Sequence, residues 1–346
     1  MPERPVIAPG QPCFIAAEIG INHNGDLDLA RRSIDAAKAA GADGVKFQNY
    51  RTEDFLRDRS LTYRYRSQGR DIVERQYDLF KRCELDREAL TDLARYCREI
   101  GMAFFTTPTG ETGLADAVAA GAVLLKNGSD YLTHLPLIEA MARTGIATVL
   151  STGMSTLAEI DDAVRAFRRA GGEQLVLLHC VSAYPAPLAS AHLRKIPVMA
   201  AAFDCPVGFS DHTEGVVAAA VAVGLGAVMV EKHFTLDRGL PGPDHWFSSD
   251  PAELTALVAA IRGAEASLGS PSLGPATGEA EMRDLARLSC VAARDLPAGH
   301  VLAAADIAFA RPGTGLAPKG REWLCGRRVA APVPTGHVFA QPDFVS

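Results

Sequence analysis

Short apolar runs alternate with longer amphipathic stretches from the start of the chain to about residue 268. The apolar runs predict eight strands, at residues 12–17, 44–48, 103–107, 122–126, 147–151, 174–179, 207–210 and 227–232. Each is bounded by Gly, Pro or a polar turn, the pattern of strands buried on both faces of a parallel sheet. Between them, apolar positions at helical spacing predict helices at 27–40, 87–100, 112–119, 135–144, 157–170, 193–203, 213–223 and 251–268. Asp26, Asp86 and Ser155 stand where an N-cap would accept free backbone N–H groups. Gly41, Gly101, Gly145, Gly171 and Gly224 stand where a left-handed residue would close a helix. Eight strand-then-helix units predict an α/β fold, a (β/α)8 TIM barrel over residues 1–268. A doubly wound open sheet is the rival, but no Gly-x-Gly-x-x-Gly follows the first strand to support a dinucleotide site. A polar insertion at 50–84, after the second strand, would lie at the barrel mouth and suits a lid or substrate loop.

Residues 269–280, rich in Gly, Pro and Ser, predict a linker. Residues 281–346 follow with short β-like runs at 289–293, 307–311 and 328–333, a small, mostly β module. A unit of that size has little core of its own and gains by packing on something else.

Composition narrows the function. The 346 residues are 48% hydrophobic and 22% charged, the balance of a soluble globular protein. The 35 Lys and Arg against 41 Asp and Glu leave a formal net charge of −6, with no long block of either sign. That argues against a general nucleic-acid or anionic-membrane binder. No apolar run reaches the ~18 residues of a transmembrane helix. The start, Met1-Pro2-Glu3-Arg4-Pro5, is too polar for a secretory signal. The seven cysteines are scattered and never spaced Cys-x-x-Cys, as expected of reduced core thiols in a cytoplasmic enzyme.

Parallel barrels gather catalytic groups at the C-terminal ends of their strands. Here those ends carry Glu18; Lys46 and Gln48; Thr107; Lys126 and Ser129; Ser151 and Thr152. The last three carry His179, Ser182 and Tyr184; Ser210, Asp211 and His212; and Glu231, Lys232 and His233. Two lysines with a row of hydroxyls suit a phosphate or carboxylate. His212 and His233, on adjacent strands, can approach one divalent metal and leave open positions for substrate and water. Asp244, just past the last strand, could grip a sugar hydroxyl or move a proton. Plainer roles stand beside these: a strand-end His can be a hydrogen-bonded structural residue, a Lys a solvated rim charge, and a Ser or Thr a helix cap. His23, His134, His179 and His245 carry weaker signals of the same kind.

These segments closely resemble the sialic acid synthases. The resemblance is carried by Ala17-Glu18-Ile19-Gly20-Ile21-Asn22-His23-Asn24-Gly25, Val45-Lys46-Phe47-Gln48, Leu150-Ser151-Thr152-Gly153-Met154 and Leu178-His179-Cys180-Val181-Ser182-Ala183-Tyr184-Pro185. Val207-Gly208-Phe209-Ser210-Asp211-His212-Thr213, Glu231-Lys232-His233-Phe234 and Leu240-Pro241-Gly242-Pro243-Asp244-His245 continue it in order. Arg311-Pro312-Gly313-Thr314-Gly315 resembles the antifreeze-like (SAF) domain that those enzymes carry. The resemblance implies condensation of phosphoenolpyruvate with an N-acylated hexosamine to a nine-carbon 2-keto sugar acid. It implies that His212 and His233 hold a divalent metal, typically manganese, with magnesium or cobalt as alternatives. Lys46, Lys126, Thr107, Ser129, Ser151, Ser182 and Ser210 would surround phosphoenolpyruvate; Glu18, Gln48, Tyr184 and Asp244 would face the sugar and reacting carbons. Either Glu18 or Asp244 would handle the key proton. Arg311 would reach the sugar from a second subunit, making a domain-swapped homodimer. Departures fall near the sugar: Tyr131 where related synthases often have an acidic residue, Ala183 where many have Asn, and Thr109-Gly110 in place of Phe-Asp. They leave open N-acetylmannosamine or a diacetamido-trideoxyhexose leading to legionaminic or pseudaminic acid. A metal-dependent barrel aldolase or epimerase, and a catalytically silent carbohydrate-binding protein, remain as alternative readings.

Overall fold

The computed structural model describes residues 5–345, so Met1–Arg4 of the polar N-terminal stretch, and Ser346, lie outside the described residues. The chain divides into two compact units, Met1–Gly269 and Ser270–Ser346.

In the first unit the apolar runs become β1 (Phe14–Gly20), β2 (Gly44–Asn49), β3 (Ala103–Pro108), β4 (Leu124–Asn127), β5 (Thr148–Ser151), β6 (Leu175–Cys180), β7 (Val207–Asp211) and β8 (Met229–His233). They close into one barrel in sequence order, with β1 paired to both β2 and β8, and every pairing parallel. The TIM-barrel expectation holds. Around it run α1 (Leu27–Ala39), α2 (Arg87–Glu99), α3 (Gly110–Ala120), α4 (Leu135–Arg143), α5 (Leu157–Arg169), α6 (Lys195–Phe203), α7 (Val217–Gly224) and α8 (Pro251–Leu268).

Strand alternation sorts side chains into two cores. Outward residues such as Ile15, Ala17, Ile19, Val45, Phe47, Leu125 and Val230 pack against the helices. Inward residues Phe14, Ala16, Phe105, Leu124, Val149, Val176, Leu178 and Met229 fill the barrel interior with apolar layers. One step further along the same inward rows stand Glu18, Lys46, Thr107, Lys126, Ser151, Ser210 and Glu231, so the polar layer sits on an incompressible apolar floor.

Several local expectations shift. Asp26 and Asp86 cap α1 and α2 as read, but α5 is capped by Thr156 in a reciprocal box with Glu159, while Ser155 Oγ turns to the Gly153 carbonyl. Gly41, Gly101, Gly145 and Gly171 close their helices with positive φ; after α7 that position is Gly226, not Gly224. The helix expected from residue 213 starts at Val217, because the Asp211 carboxylate takes both the backbone N–H and the hydroxyl of Thr213 (2.8 Å each). The insertion at 50–84 is an ordered structure: a hairpin of Thr62–Ser67 with Arg70–Arg75, flanked by short helices Thr52–Phe55 and Gln76–Arg82. Its base is a small core of its own, with Tyr50, Phe55 and Phe80 edge to face at 5.2–5.7 Å. Its tip bonds the loop after β8: Gln68 Nε2 donates to the Gly239 carbonyl (2.9 Å) and Gly242 N–H to Ser67 Oγ (3.1 Å).

In the second unit a 3-10 turn, Thr277–Glu279, runs into α9 (Ala280–Ala286), so helix appears where the composition suggested only linker and strand. The Glu279 carboxylate accepts the Ala276 N–H at 2.7 Å and starts that turn. Beyond it β9 (Ser289–Ala292) and β10 (Ile307–Ala310) form an antiparallel pair. The run at 328–333 pairs only through isolated bridges, Val301 with Arg328, Val329 with Phe344 and Leu296 with Val333. Pro332 and Pro334 lack the N–H groups a continuous ladder needs. Cys290, Leu296, Leu302, Leu324, Val329 and Phe339 make the unit's own core.

Candidate active site

Every barrel residue given a substrate, catalytic or metal role from the sequence lines one cavity of about 460 Å³ at the C-terminal ends of the strands: Glu18, Lys46, Gln48, Thr107, Lys126, Ser129, Ser151, Ser182, Tyr184, Ser210, His212, His233 and Asp244. Arg311 belongs to the second unit, exposed, just past β10.

Two buried lysines organise the floor. Lys46 Nζ pairs with Glu18 Oε2 (2.7 Å) and donates to Thr107 Oγ1 (2.9 Å), while Gln48 Nε2 donates to the other Glu18 oxygen (3.1 Å). Lys126 Nζ lies 2.7 Å from Ser151 Oγ and donates to the Asn127 carbonyl (3.2 Å). Between them stands Glu231, 3.9 Å from Lys46 Nζ and 3.8 Å from Lys126 Nζ, accepting a hydrogen bond from Ser210 Oγ (3.1 Å). Burial, reinforced by the Lys46 charge, outweighs Glu231 and pushes the Lys126 ammonium down. Burial also opposes the charge on Lys46, but Glu18 and Glu231 outweigh it and hold that ammonium up. The two carboxylates split. Burial and the Glu231 charge raise Glu18, whereas at Glu231 the two lysines overcome burial and hold it ionised.

At the wall, His212 and His233 face one another with ring centroids 5.4 Å apart. His212 Nδ1 lies 2.8 Å from the Val181 carbonyl, which fixes a proton on that nitrogen, while Nε2 lies 3.5 Å from Ser210 Oγ. His233 Nδ1 is buried without a hydrogen-bond partner, 4.0 Å from Asp244 Oδ2. Burial, with the His212 and lysine charges, drives His233 well below its ordinary value and keeps its imidazole neutral. Burial beside Glu18 raises Asp244 to about 7. Tyr184 packs over His212 (4.2 Å) and Phe247 edges His233 (5.1 Å), shielding the pair from solvent. A third cluster joins Ser129, Ser182 and Cys180 around Gly153, whose N–H donates to Ser129 Oγ at 3.0 Å. A β-carbon there would fall 2.4 Å from Ser182 Oγ and 2.7 Å from Ser129 Oγ, so only glycine leaves the hydroxyls room.

Other polar strand ends prove structural. Lys232 and Asp211 point outward and pair with each other at 2.9 Å. Thr152 Oγ1 donates to the Leu178 carbonyl, His179 binds the Ala191 carbonyl (2.6 Å) and stacks on Phe209, and His134 caps α4. His23 and His245 are buried beside the loop after β8. Glu231 stood among the strand ends but received no role from the sequence. Its signal was there: it is two residues before His233, on the same inward row. Tyr63 and Phe80 of the insertion, with Asp130, Tyr131 and Phe247, also line the cavity and followed no strand-end pattern.

A model described as the NeuB family matches residues 33–272, and one described as the SAF domain matches residues 289–345. The chain belongs to the NeuB family. Within it, an N,N'-diacetyllegionaminic acid synthase of Legionella pneumophila is 38% identical over 328 residues, 94% of this chain and 92% of that one. An uncharacterized protein of Methanocaldococcus jannaschii is 39% identical over 323 residues, 93% and 92% of the two chains. The crystal structure of an N-acetylneuraminic acid (sialic acid) synthetase from Leptospira borgpetersenii superimposes with a TM-score of 0.71 at 34% identity, covering 79% of this NeuB-family chain and 90% of that one.

Proposed function

We propose that this chain is a transferase that condenses phosphoenolpyruvate with an N-acyl hexosamine, giving a nine-carbon 2-keto sugar acid and phosphate. The observation that carries the reading is the shared cavity: two buried lysines among hydroxyls beside two facing imidazoles. Lys126 with Ser151, and the Ser129, Ser182 and Ser210 hydroxyls, suit the phosphate; Lys46 with Thr107 suits the carboxylate.

A divalent ion fits the donor set. His212 presents Nε2 with only the long 3.5 Å contact to Ser210 Oγ, and His233 an unpartnered buried nitrogen, two imidazole donors of the kind such an ion takes. Among the described residues no group of three or more His, Cys, Asp or Glu is arranged as a metal site, so substrate and water would complete the shell. When bound, manganese, magnesium or cobalt would supply Lewis acidity to the sugar aldehyde. The chain's own residues do the rest. The lysines hold the enol phosphate so that its C3 meets the aldehyde carbon. Asp244, raised to about 7, carries a proton near neutrality and can deliver it to the new alkoxide. Water then adds at C2, and the tetrahedral adduct expels phosphate with C–O cleavage. Glu18, next to Lys46, is the residue read from the sequence as able to hold that water.

On the same reading two copies pair as a domain-swapped homodimer, with Arg311 of one serving the sugar of the other, and the protein works in the cytoplasm. No helix among the described residues is long and apolar enough to cross a membrane. The sugar is N-acetylmannosamine or a diacetamido-trideoxyhexose, the latter favoured by likeness to the legionaminic acid synthase.

Phosphate release from phosphoenolpyruvate with manganese and a panel of N-acyl hexosamines tests the reading, with product mass naming the sugar. In H2(18)O the released phosphate should be unlabelled. Chelation should abolish turnover and manganese restore it. No phosphate with any N-acyl hexosamine would favour a metal-dependent aldolase or epimerase instead.

A further inference from the structure

A carboxylate at the centre of an anion site needs a reason. Glu231 is buried, lines the cavity, and stands between Lys46 and Lys126, closer to neither than 3.8 Å. A substrate whose carboxylate and phosphate engage those two ammonium groups must lie across it. Direct contact between two anions would be repulsive. The contact becomes favourable when a protic group lies between them and donates to the carboxylate.

The Glu231 side chain is built to receive such a group. Ser210 Oγ donates to Oε1 at 3.1 Å and fixes the head, while Oε2 is buried with no hydrogen-bond partner. A buried, unsatisfied acceptor costs enough that its vacancy points to a partner arriving with substrate. Glu18 Oε2 is likewise without a hydrogen bond, but the Lys46 ammonium stands against it at 2.7 Å, where it is 3.9 Å from Glu231, and the other Glu18 oxygen accepts from Gln48 (3.1 Å).

We propose that Glu231, resting on the phosphoenolpyruvate reading above, is the catalytic residue that seats the attacking water and takes its proton. The order is then fixed by atom balance. C3 of phosphoenolpyruvate bonds to the aldehyde carbon, whose oxygen takes a proton from Asp244, leaving cationic character at C2. The water held on Glu231 Oε2 bonds to C2 and gives one proton to the carboxylate. The remaining hydroxyl on C2 becomes the keto oxygen, its proton and the C2–O electron pair leaving with phosphate. Proton return from Glu231 to Asp244 through solvent resets the pair.

The variant Glu231→Gln keeps the size and the contact with Ser210 but offers an amide in place of an acceptor pair. The expected result is a kcat lowered about 100-fold or more. KM for phosphoenolpyruvate should be unchanged or lower, because a negative charge has left the anion site. Glu231→Asp, with the carboxylate drawn back by one carbon–carbon bond, should recover part of the lost kcat, and it serves should the Gln variant not fold. Wild-type kcat in either variant, or a loss carried by KM with kcat intact, overturns the assignment. Phosphate release by the wild type separates the two claims: a wild type that releases none overturns the reading and this role together. An active wild type with indifferent variants overturns this role alone.

Discussion

Lys232 and Asp211 form an ion pair buried between the barrel and its helices, and in the chain they stand directly before His233 and His212. Asp211 Oδ2 meets Lys232 Nζ at 2.9 Å, its Oδ1 accepts from the N–H and hydroxyl of Thr213, and Lys232 Nζ also donates to the Thr213 carbonyl. The change Lys232→Met keeps the apolar stem and removes the ammonium, stranding a carboxylate in the interior. Removing one partner of such a pair costs about 3–5 kcal/mol, far above the 0–1 kcal/mol of an exposed pair. At about 2–4 °C per kcal/mol for a unit of this size, the midpoint should fall by about 6–20 °C. The double variant Asp211→Asn, Lys232→Met removes the stranded charge and keeps an oxygen for Thr213, so it should recover at least about half of the loss. Urea and thermal unfolding of wild type, both singles and the double close the cycle. A Lys232→Met protein within about 1 kcal/mol of wild type, or a double that loses the sum of the singles, would refute the reasoning.

Burial holds His23 and His245 down to about 4, against about 6.5 when unfolded. Folding favours their neutral forms, so stability is full above pH 6.5 and lost as pH falls from there toward 4, by about 2 kcal/mol per histidine between pH 7 and 5. Urea titrations of wild type and His23→Gln should differ in that window, and parallel curves would contradict it. The variant Gly153→Ala should fold but raise KM for phosphoenolpyruvate about tenfold, because the new methyl lands within 2.7 Å of both Ser129 and Ser182 hydroxyl oxygens. Steady-state kinetics decide it, and an unchanged KM removes these serines from the anion cradle. Arg311→Ala should raise KM for the sugar and leave that for phosphoenolpyruvate alone; the converse would exclude the swapped-subunit role.

The barrel was legible because its strands are short apolar runs whose charged residues gather toward one end. That asymmetry, strongest in Gly-Val-Lys-Phe-Gln and Met-Val-Glu-Lys-His, reports both the fold and its catalytic face. What failed has more than one cause. The start of α7 is delayed by the Asp211 carboxylate, which takes the N–H and hydroxyl of Thr213 two residues on, a local turn that competes with helix. Glu231 and Lys232 are adjacent in sequence, yet one faces the cavity and the other the helices. Type alone does not separate them, and strand parity does. The hairpin at 62–75 escaped because its strands are mostly exposed and charged, with little apolar alternation to read.

That hairpin rests on its own aromatic base and meets the mouth through Gln68 to Gly239 and Gly242 to Ser67. It contributes Tyr63 to the cavity but no residue to the lysine floor. On the proposed reading it is a separable cassette: a change in its length or tip would retune which sugar is admitted and leave the phosphate chemistry beneath as it is.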